Sequence, residues 1–442
     1  MLGQAGPDCN RHTGDDRVRL CMRPWLMWGV PSFIFLIAFF HRVAPGTVAK
    51  ELMAAFQGGG ALVGLLSSLY FYAYAGLMLP AGLLVDAYGP RRVVAVGGTL
   101  MGLGTLLMGW AWSGGPLFAG RFLIGLGASV TFVGALKVAA VWFPPRWFGT
   151  LSAVTSTMGV LGALAATAPF AFLAGAVGWR WGFVWVGLVS LVASLLCWAL
   201  VRDRPGAAEA APSQTFAQVM KGTLRILSNP HTWPPFLTFF GLYAAASNLM
   251  LWGIPFFRDV YGLPIGLAAT YATATWVAVL FSGPLTGYLS DRILGLRRLP
   301  YIVLCWIYLL LWGVFVLTLG QLALGSLYAL LFTLGLFGGA FVLTWPIGRE
   351  VNPPQLAGVS VAVVNLGGFL GAALTQAPVG ALLDSRWAGA MEGGARVYPL
   401  EAYRFAFFVC VLFVLGAALV AFLVKETRAQ NIYHLLGKRY ER

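Results

Sequence analysis

The chain has 442 residues, 59% of them hydrophobic and 10% charged, with a formal net charge of +14. A soluble domain carries about a quarter charged residues, so soluble-domain counting does not apply and a membrane protein is expected. The basic residues fall in short loops, as the positive-inside rule expects, and no basic patch is interleaved with a soluble fold, which argues against a nucleic-acid partner.

Taken in order, residues 1–24 carry mixed charges without the apolar core of a signal peptide and read as a cytoplasmic tail. Twelve apolar runs of about 20 residues follow. They are predicted at 25–49, 61–85, 93–112, 117–142, 148–174, 180–201, 235–257, 265–289, 300–320, 325–347, 357–383 and 402–424. An all-α membrane protein of two six-helix bundles is therefore expected, at 25–201 and 235–424. Residues 202–234 read as a cytoplasmic linker with a short amphipathic helix near 214–227, and 425–442 as a C-terminal tail. Arg91, Arg92, Arg146, Arg202, Arg204, Arg297, Arg298 and Lys425 fall on the side of both termini. Lys50, Arg121, Arg180, Arg258, Arg386, Arg396 and Arg404 fall on or near the other side. The basic excess on the first side places both termini in the cytoplasm. The five cysteines show no metal-ligand spacing, and none falls in a predicted external loop, so neither a metal site nor a disulfide framework is expected.

The chain repeats itself. Gly82-Leu-Leu-Val-Asp86-Ala-Tyr-Gly89-Pro-Arg91-Arg92 sits between two apolar runs, and Gly287-Tyr-Leu-Ser-Asp291-Arg292-Ile-Leu-Gly295-Leu-Arg297-Arg298 between another two, at an offset of 205 (291 − 86). Pro144-Pro145 pairs with Pro353-Pro354, Leu161-Gly162 with Leu370-Gly371, and Ala168-Pro169 with Ala377-Pro378, all at 209 (353 − 144). A long repeat in conserved order means two similar bundles facing one another across a central cavity. The two glycine-punctuated basic loops resemble the signature of the major facilitator superfamily, which joins helices 2 and 3 and again helices 8 and 9. The first copy departs from it with Ala87 in place of an arginine, and the second has one extra residue before its basic end. Gly120-Arg121-Phe-Leu-Ile-Gly125-Leu-Gly127 resembles a second signature of that family on helix 4. Leu66-Ser-Ser-Leu-Tyr-Phe-Tyr-Ala-Tyr-Ala and Arg349-Glu-Val-Asn-Pro-Pro resemble a bacterial branch of organic-anion and amino-acid carriers.

Arg42 lies inside the first apolar run, where an arginine costs about 2.5–3.5 kcal/mol on insertion scales and is tolerated at a wet cavity or a partner. It reads as the group that binds a carboxylate or phosphate, or as a side chain snorkelling to the external surface. Its neighbour His41 points about 100° away and reads as a proton-sensitive group or a packing histidine. Lys137 reads as a second cation for the substrate, or as a snorkelling lysine near the inner interface. Tyr70 and Tyr74, Asn248, Trp252, Trp276, Trp345, Asn365 and Gln376 are candidate cavity residues, against the alternative of helix–helix hydrogen bonds and interface belts. Arg121 is expected near the external end in a structural or gating role. The resemblance implies a gating role for Asp86, Arg91, Arg92, Asp291 and Arg292, with Glu350 joining that latch.

No phosphate-binding loop, nucleophile elbow or zinc motif occurs, so neither an enzyme nor a resident cofactor is expected. The reading is a monomeric secondary transporter of the bacterial inner membrane that moves a small organic anion or amino acid by alternating access. Symport with a proton, exchange against a counter-anion and facilitated diffusion all remain open. A multidrug or cation exporter of the same fold is the first alternative, and a nutrient receptor that binds without translocating is the second.

Overall fold

The structure is a computed structural model that describes residues 14–203 and 216–437. The expectations for the outer parts of both tails and for the middle of the linker lie outside the described residues. Among the described residues, twelve helices are long and apolar enough to cross a membrane. They are α1 (Arg23–Thr47), α2 (Gly60–Tyr88), α3 (Pro90–Gly109), α4 (Gly114–Trp142), α5 (Phe148–Val177), α6 (Trp179–Leu200), α7 (Pro230–Tyr261), α8 (Ile265–Leu294), α9 (Arg298–Leu317), α10 (Leu324–Glu350), α11 (Pro354–Ser385) and α12 (Leu400–Ala421). Short connections make successive helices antiparallel, so α1 begins, and α12 finishes, at one end of the bundle. That end is called the tail end below, and the opposite one the far end.

Helices α1–α6 form one half and α7–α12 the other. The halves meet along α2 with α11, α1 with α7, and α5 with α8. Glycine sets the closeness of that seam. A Cβ on Gly46 would lie 2.6 Å from the Met250 carbonyl oxygen, and one on Gly60 2.5 Å from that of Gly380, so a side chain at either place would push the halves apart.

Three local features depart from plain apolar helices. A short helix, Ala49–Phe56, follows α1 at the far end. Opposite it, strands Met391–Glu392 and Ala395–Arg396 pair antiparallel, turned by Gly393 and Gly394 at positive φ, the backbone a two-residue hairpin requires. The sequence reading did not foresee this hairpin, because two-residue strands leave no periodic signal. The last turn of α8, Leu289–Leu294, is π-helical and carries Asp291 and Arg292 to the tail end. In the linker a helix runs Phe216–Leu227, close to the expected amphipathic segment. Beyond α12 the chain folds back beneath its own half, where Ile432 N donates to the Glu350 carbonyl at 2.8 Å and Asn431 Nδ2 to the Asn352 carbonyl at 2.8 Å.

Candidate substrate site

Arg42 stands on α1 where the two halves meet. Arg42 is 5% exposed, and its guanidinium sits over Phe39 at 4.0 Å, with Phe369 at 4.9 Å and Tyr74 at 5.4 Å. Phe39 and Tyr74 come from the first half and Phe369 from the second. Tyr74 and Phe369 stack across the seam at 4.4 Å. Nη1 donates to the Tyr243 hydroxyl on α7 at 3.3 Å, and Nε has no acceptor. Ring faces attract the cation by about 0.5–2 kcal/mol each, and less where the rings are shared. They do not neutralise it. Among the described residues, no carboxylate pairs with Arg42. The arrangement is an aromatic cage around a cation with unspent hydrogen-bonding capacity, open in chemistry to an anion.

The other expected cavity residues divide into three layers. Tyr70 faces the cage, with its ring 5.9 Å from the Arg42 guanidinium and its hydroxyl on the Ala38 carbonyl at 3.1 Å. Towards the tail end, Trp345 Nε1 donates to Asn365 Oδ1 at 3.0 Å, and Asn365 reaches Met78 across the seam at 3.9 Å. Trp276 is half-buried on α8 and packs against the core. Towards the far end, Asn248 donates to Thr375 Oγ1 at 2.9 Å and Gln376 to the Ser247 carbonyl at 3.1 Å, both fully buried between α7 and α11. Trp252 is sealed beside them with its indole nitrogen unpaired. The structure therefore brings Tyr70, Tyr74 and Arg42 together and holds Asn248, Gln376 and Trp252 in the closed seam beyond them.

His41 turns the other way. Its Nε2 meets Thr105 Oγ1 on α3 at 3.2 Å, and its carbonyl accepts from Arg121 Nη1. Arg121 is buried within the first half, its Nε on the Leu66 carbonyl at 3.3 Å and its guanidinium 4.6 Å from the Tyr70 ring. Lys137 is not beside Arg42. It pairs with Asp86 at 2.7 Å near the tail end. Of the loop cations, Arg91 Nε donates to the Trp198 carbonyl at 2.7 Å and its backbone N to Asp203 at 2.8 Å, while Arg92 and Arg292 are exposed.

The second loop centres on Arg297, which pairs with Asp291 and, at 3.2 Å, with Glu350. Burial would lower the Arg297 pKa, but its bonds to Glu350 and Asp291 outweigh that and raise it. Sequence reasoning placed Arg297 in the loop without seeing it as the hub. Its one-residue shift from the first copy of the motif was the available signal.

Residues that sequence reasoning missed close the far end. Lys50 pairs with Asp259, and Arg258 Nη1 with Glu51 at 2.7 Å, both between halves. Asp384 on α11 accepts from the Gly60 and Ala61 backbone N–H groups at 2.8 Å each, capping the first turn of α2 across the seam. Tyr398 and Arg396 donate to the same carboxylate at 2.6 and 2.9 Å. The signal was in the chain: Lys50-Glu51 and Arg258-Asp259 are the same basic–acidic dipeptide at an offset of 208 (258 − 50). Tyr243, the polar partner of Arg42, left no comparable mark.

Twelve spans in two repeated halves, with a buried cation at their seam, define a membrane transporter fold. The profile of the Major Facilitator Superfamily matches residues 32–376, and the chain belongs to that family. It is 26% identical over 283 residues to YybO of Bacillus subtilis, described as an uncharacterized transporter, covering 60% of this chain and 65% of the relative's length. It is 24% identical over 421 residues to GarP of Escherichia coli, described as a probable galactarate/D-glucarate transporter, covering 85% of this chain and 89% of that one. Among solved structures, a bacterial homologue of the human lysosomal transporter Spinster superposes with a TM-score of 0.77 at 18% identity, covering 92% of this chain and 97% of that one. That likeness is one of fold.

Proposed function

We propose that the protein is a secondary transporter that moves a small organic anion across the bacterial cytoplasmic membrane by alternating access. The carboxylate belongs to a sugar acid, the class that GarP's description names for that relative, or to an amino acid. The single observation that carries this reading is Arg42: a cation 5% exposed, held by both halves, with no acid to pair it among the described residues. A substrate carboxylate supplies the missing charge, and the Tyr243 hydroxyl and the stacked Tyr74–Phe369 pair shape the space beside it. With the tail end as the cytoplasmic side, as the Lys and Arg distribution favours, the sealed far end corresponds to an inward-facing carrier.

The test is thermal stability of the purified chain and of Arg42→Gln, with D-glucarate, with single amino acids and with tetraphenylphosphonium. A ligand that binds only the folded state adds about 2.7 kcal/mol at roughly 100 times its Kd. An acid is expected to raise the melting temperature of the wild type and leave Arg42→Gln unmoved. Stabilisation by the lipophilic cation alone, or by an acid in both proteins equally, would overturn the anion reading.

A further inference from the structure

We propose that this carrier is an obligate anion exchanger, which returns across the membrane loaded with a second anion and carries no proton with the first. The proposal rests on Arg42 being the anion site, and it follows from where the chain keeps its acids. All 15 Asp and Glu residues lie outside the middle of the spans. Glu51 is nine residues along from Arg42, about 13 Å at helical rise, and Asp86 is twelve beyond Tyr74, about 18 Å. The far-end acids Glu51, Asp259 and Asp384 are tied to Arg258, Lys50 and the α2 N-terminus. At the tail end Asp86 is tied to Lys137, and Asp291 and Glu350 to Arg297. None of these six described acids stands at the cage to ride with a substrate.

The cationic side is correspondingly unbalanced. Arg42 and Arg121 flank the Tyr70 ring, and each keeps a buried nitrogen without an acceptor, Nε in one and Nη2 in the other. His41, fully buried, faces Thr105 and away from the cage, with no acid beside it among the described residues.

Switching requires a moment when both ends are closed and water is shut out of the cage. An anion bound there balances Arg42 during that passage. An empty passage strips the last water from a cation that is already only 5% exposed and has no acid partner among the described residues, which deepens the cost of a buried charge. A carboxylate beside the arginine would relieve the empty carrier by pairing internally, and would also offer a proton site. Among the described residues there is neither, so the loaded form crosses in both directions and the empty form is left behind.

The full chain in proteoliposomes loaded with radiolabelled D-glucarate, and in parallel with inorganic phosphate, tests this. Unlabelled probe outside is expected to speed efflux about tenfold or more over medium free of carboxylates and phosphate, the factor one decade of differential stability sets. An imposed pH gradient of either sign is expected to leave both rates unchanged. Equal efflux into anion-free medium, or uptake driven by a proton gradient into empty liposomes, overturns exchange while leaving the Arg42 site standing. No movement of either probe in any arm overturns the sugar-acid assignment, and the flux-free readout below then decides the exchange. A second readout needs no flux. Spin labels at Ala55→Cys and Met391→Cys, with Cys9 and Cys21 replaced by serine, report separation of the halves at the far end. Without an anion, Arg42→Gln is expected to populate the separated state and the wild type is not. A wild type that opens as readily as the variant overturns the proposal.

Discussion

The two ends of the bundle use the same kinds of residue in opposite ways. At the far end Lys50–Asp259 and Arg258–Glu51 cross between the halves, each pair the mirror of the other through the internal repeat. At the tail end the ion pairs stay at home. Asp86, at the end of α2, pairs with Lys137 on α4, and Arg297, beside α9, pairs with Glu350 on α10. Among the described residues no ion pair joins the halves there. In each half, then, the loop motif is tied to the helix after next, with the sign of the charges exchanged. Charge content does not distinguish the two ends. What distinguishes them is which copy of the repeat supplies the partner.

That contrast can be broken most strongly at Lys50. Its partner Asp259 has a side chain 1% exposed, and stripping a buried carboxylate of its cation costs about 3–5 kcal/mol. Lys50→Met is expected to shift the population away from the closed far end, read as a longer Ala55–Met391 label distance. The exchanged pair Lys50→Asp with Asp259→Lys is expected to restore it only in part, because Asp259 Oδ2 also accepts from the Tyr398 backbone N–H and the Tyr403 hydroxyl, which a lysine cannot do. A smaller effect of a different kind is expected at the tail end. Glu350→Gln weakens the bonds from Arg297 and Thr427, at about 1–3 kcal/mol. The melting temperature should fall while the far-end distance stays fixed, because this network lies within one half. A shift in that distance would show that the tail-end network also governs the seam.

The fold was legible because a repeat of more than 200 residues and twelve apolar runs are long-range, redundant signals. Arg42 was legible because an arginine in an apolar run is conspicuous whatever surrounds it. The aromatic cage was only half legible. Tyr70 and Tyr74 share a helix face and could be paired by spacing, whereas Phe39, Tyr243 and Phe369 look like any lipid-facing aromatic until the halves are docked. Lys137 shows the converse error. Read alone it is an intramembrane cation, but α2 ends beside it and brings Asp86 within 2.7 Å. The far-end pairs were written in the chain as a repeated dipeptide, yet a charge at a helix end reads as solvation unless its partner across the seam is known.

The smallest effect concerns how the tail end of the second half is held together, and it has a definite sign. Glu426 accepts from the backbone N–H groups of Arg297 and Arg298 at 2.9 Å each and of Arg428 at 2.8 Å, capping the start of α9. Burial would raise its pKa, but the bonds from Arg297, Arg428 and Arg298 outweigh it and hold the carboxyl below its ordinary value of 4.5. A carboxyl whose folded pKa is depressed stabilises the fold above the unfolded pKa, and that stability is lost as pH falls through the folded value. Melting temperature measured from pH 6 downward is therefore expected to fall more steeply below about 4.5 in the wild type than in Glu426→Gln, with the two curves converging at the acid end. Other acids titrate in both proteins and cancel in the difference. Parallel curves over that range would mean that the N–H bonds to Glu426 do not form in solution, and that α9 begins uncapped.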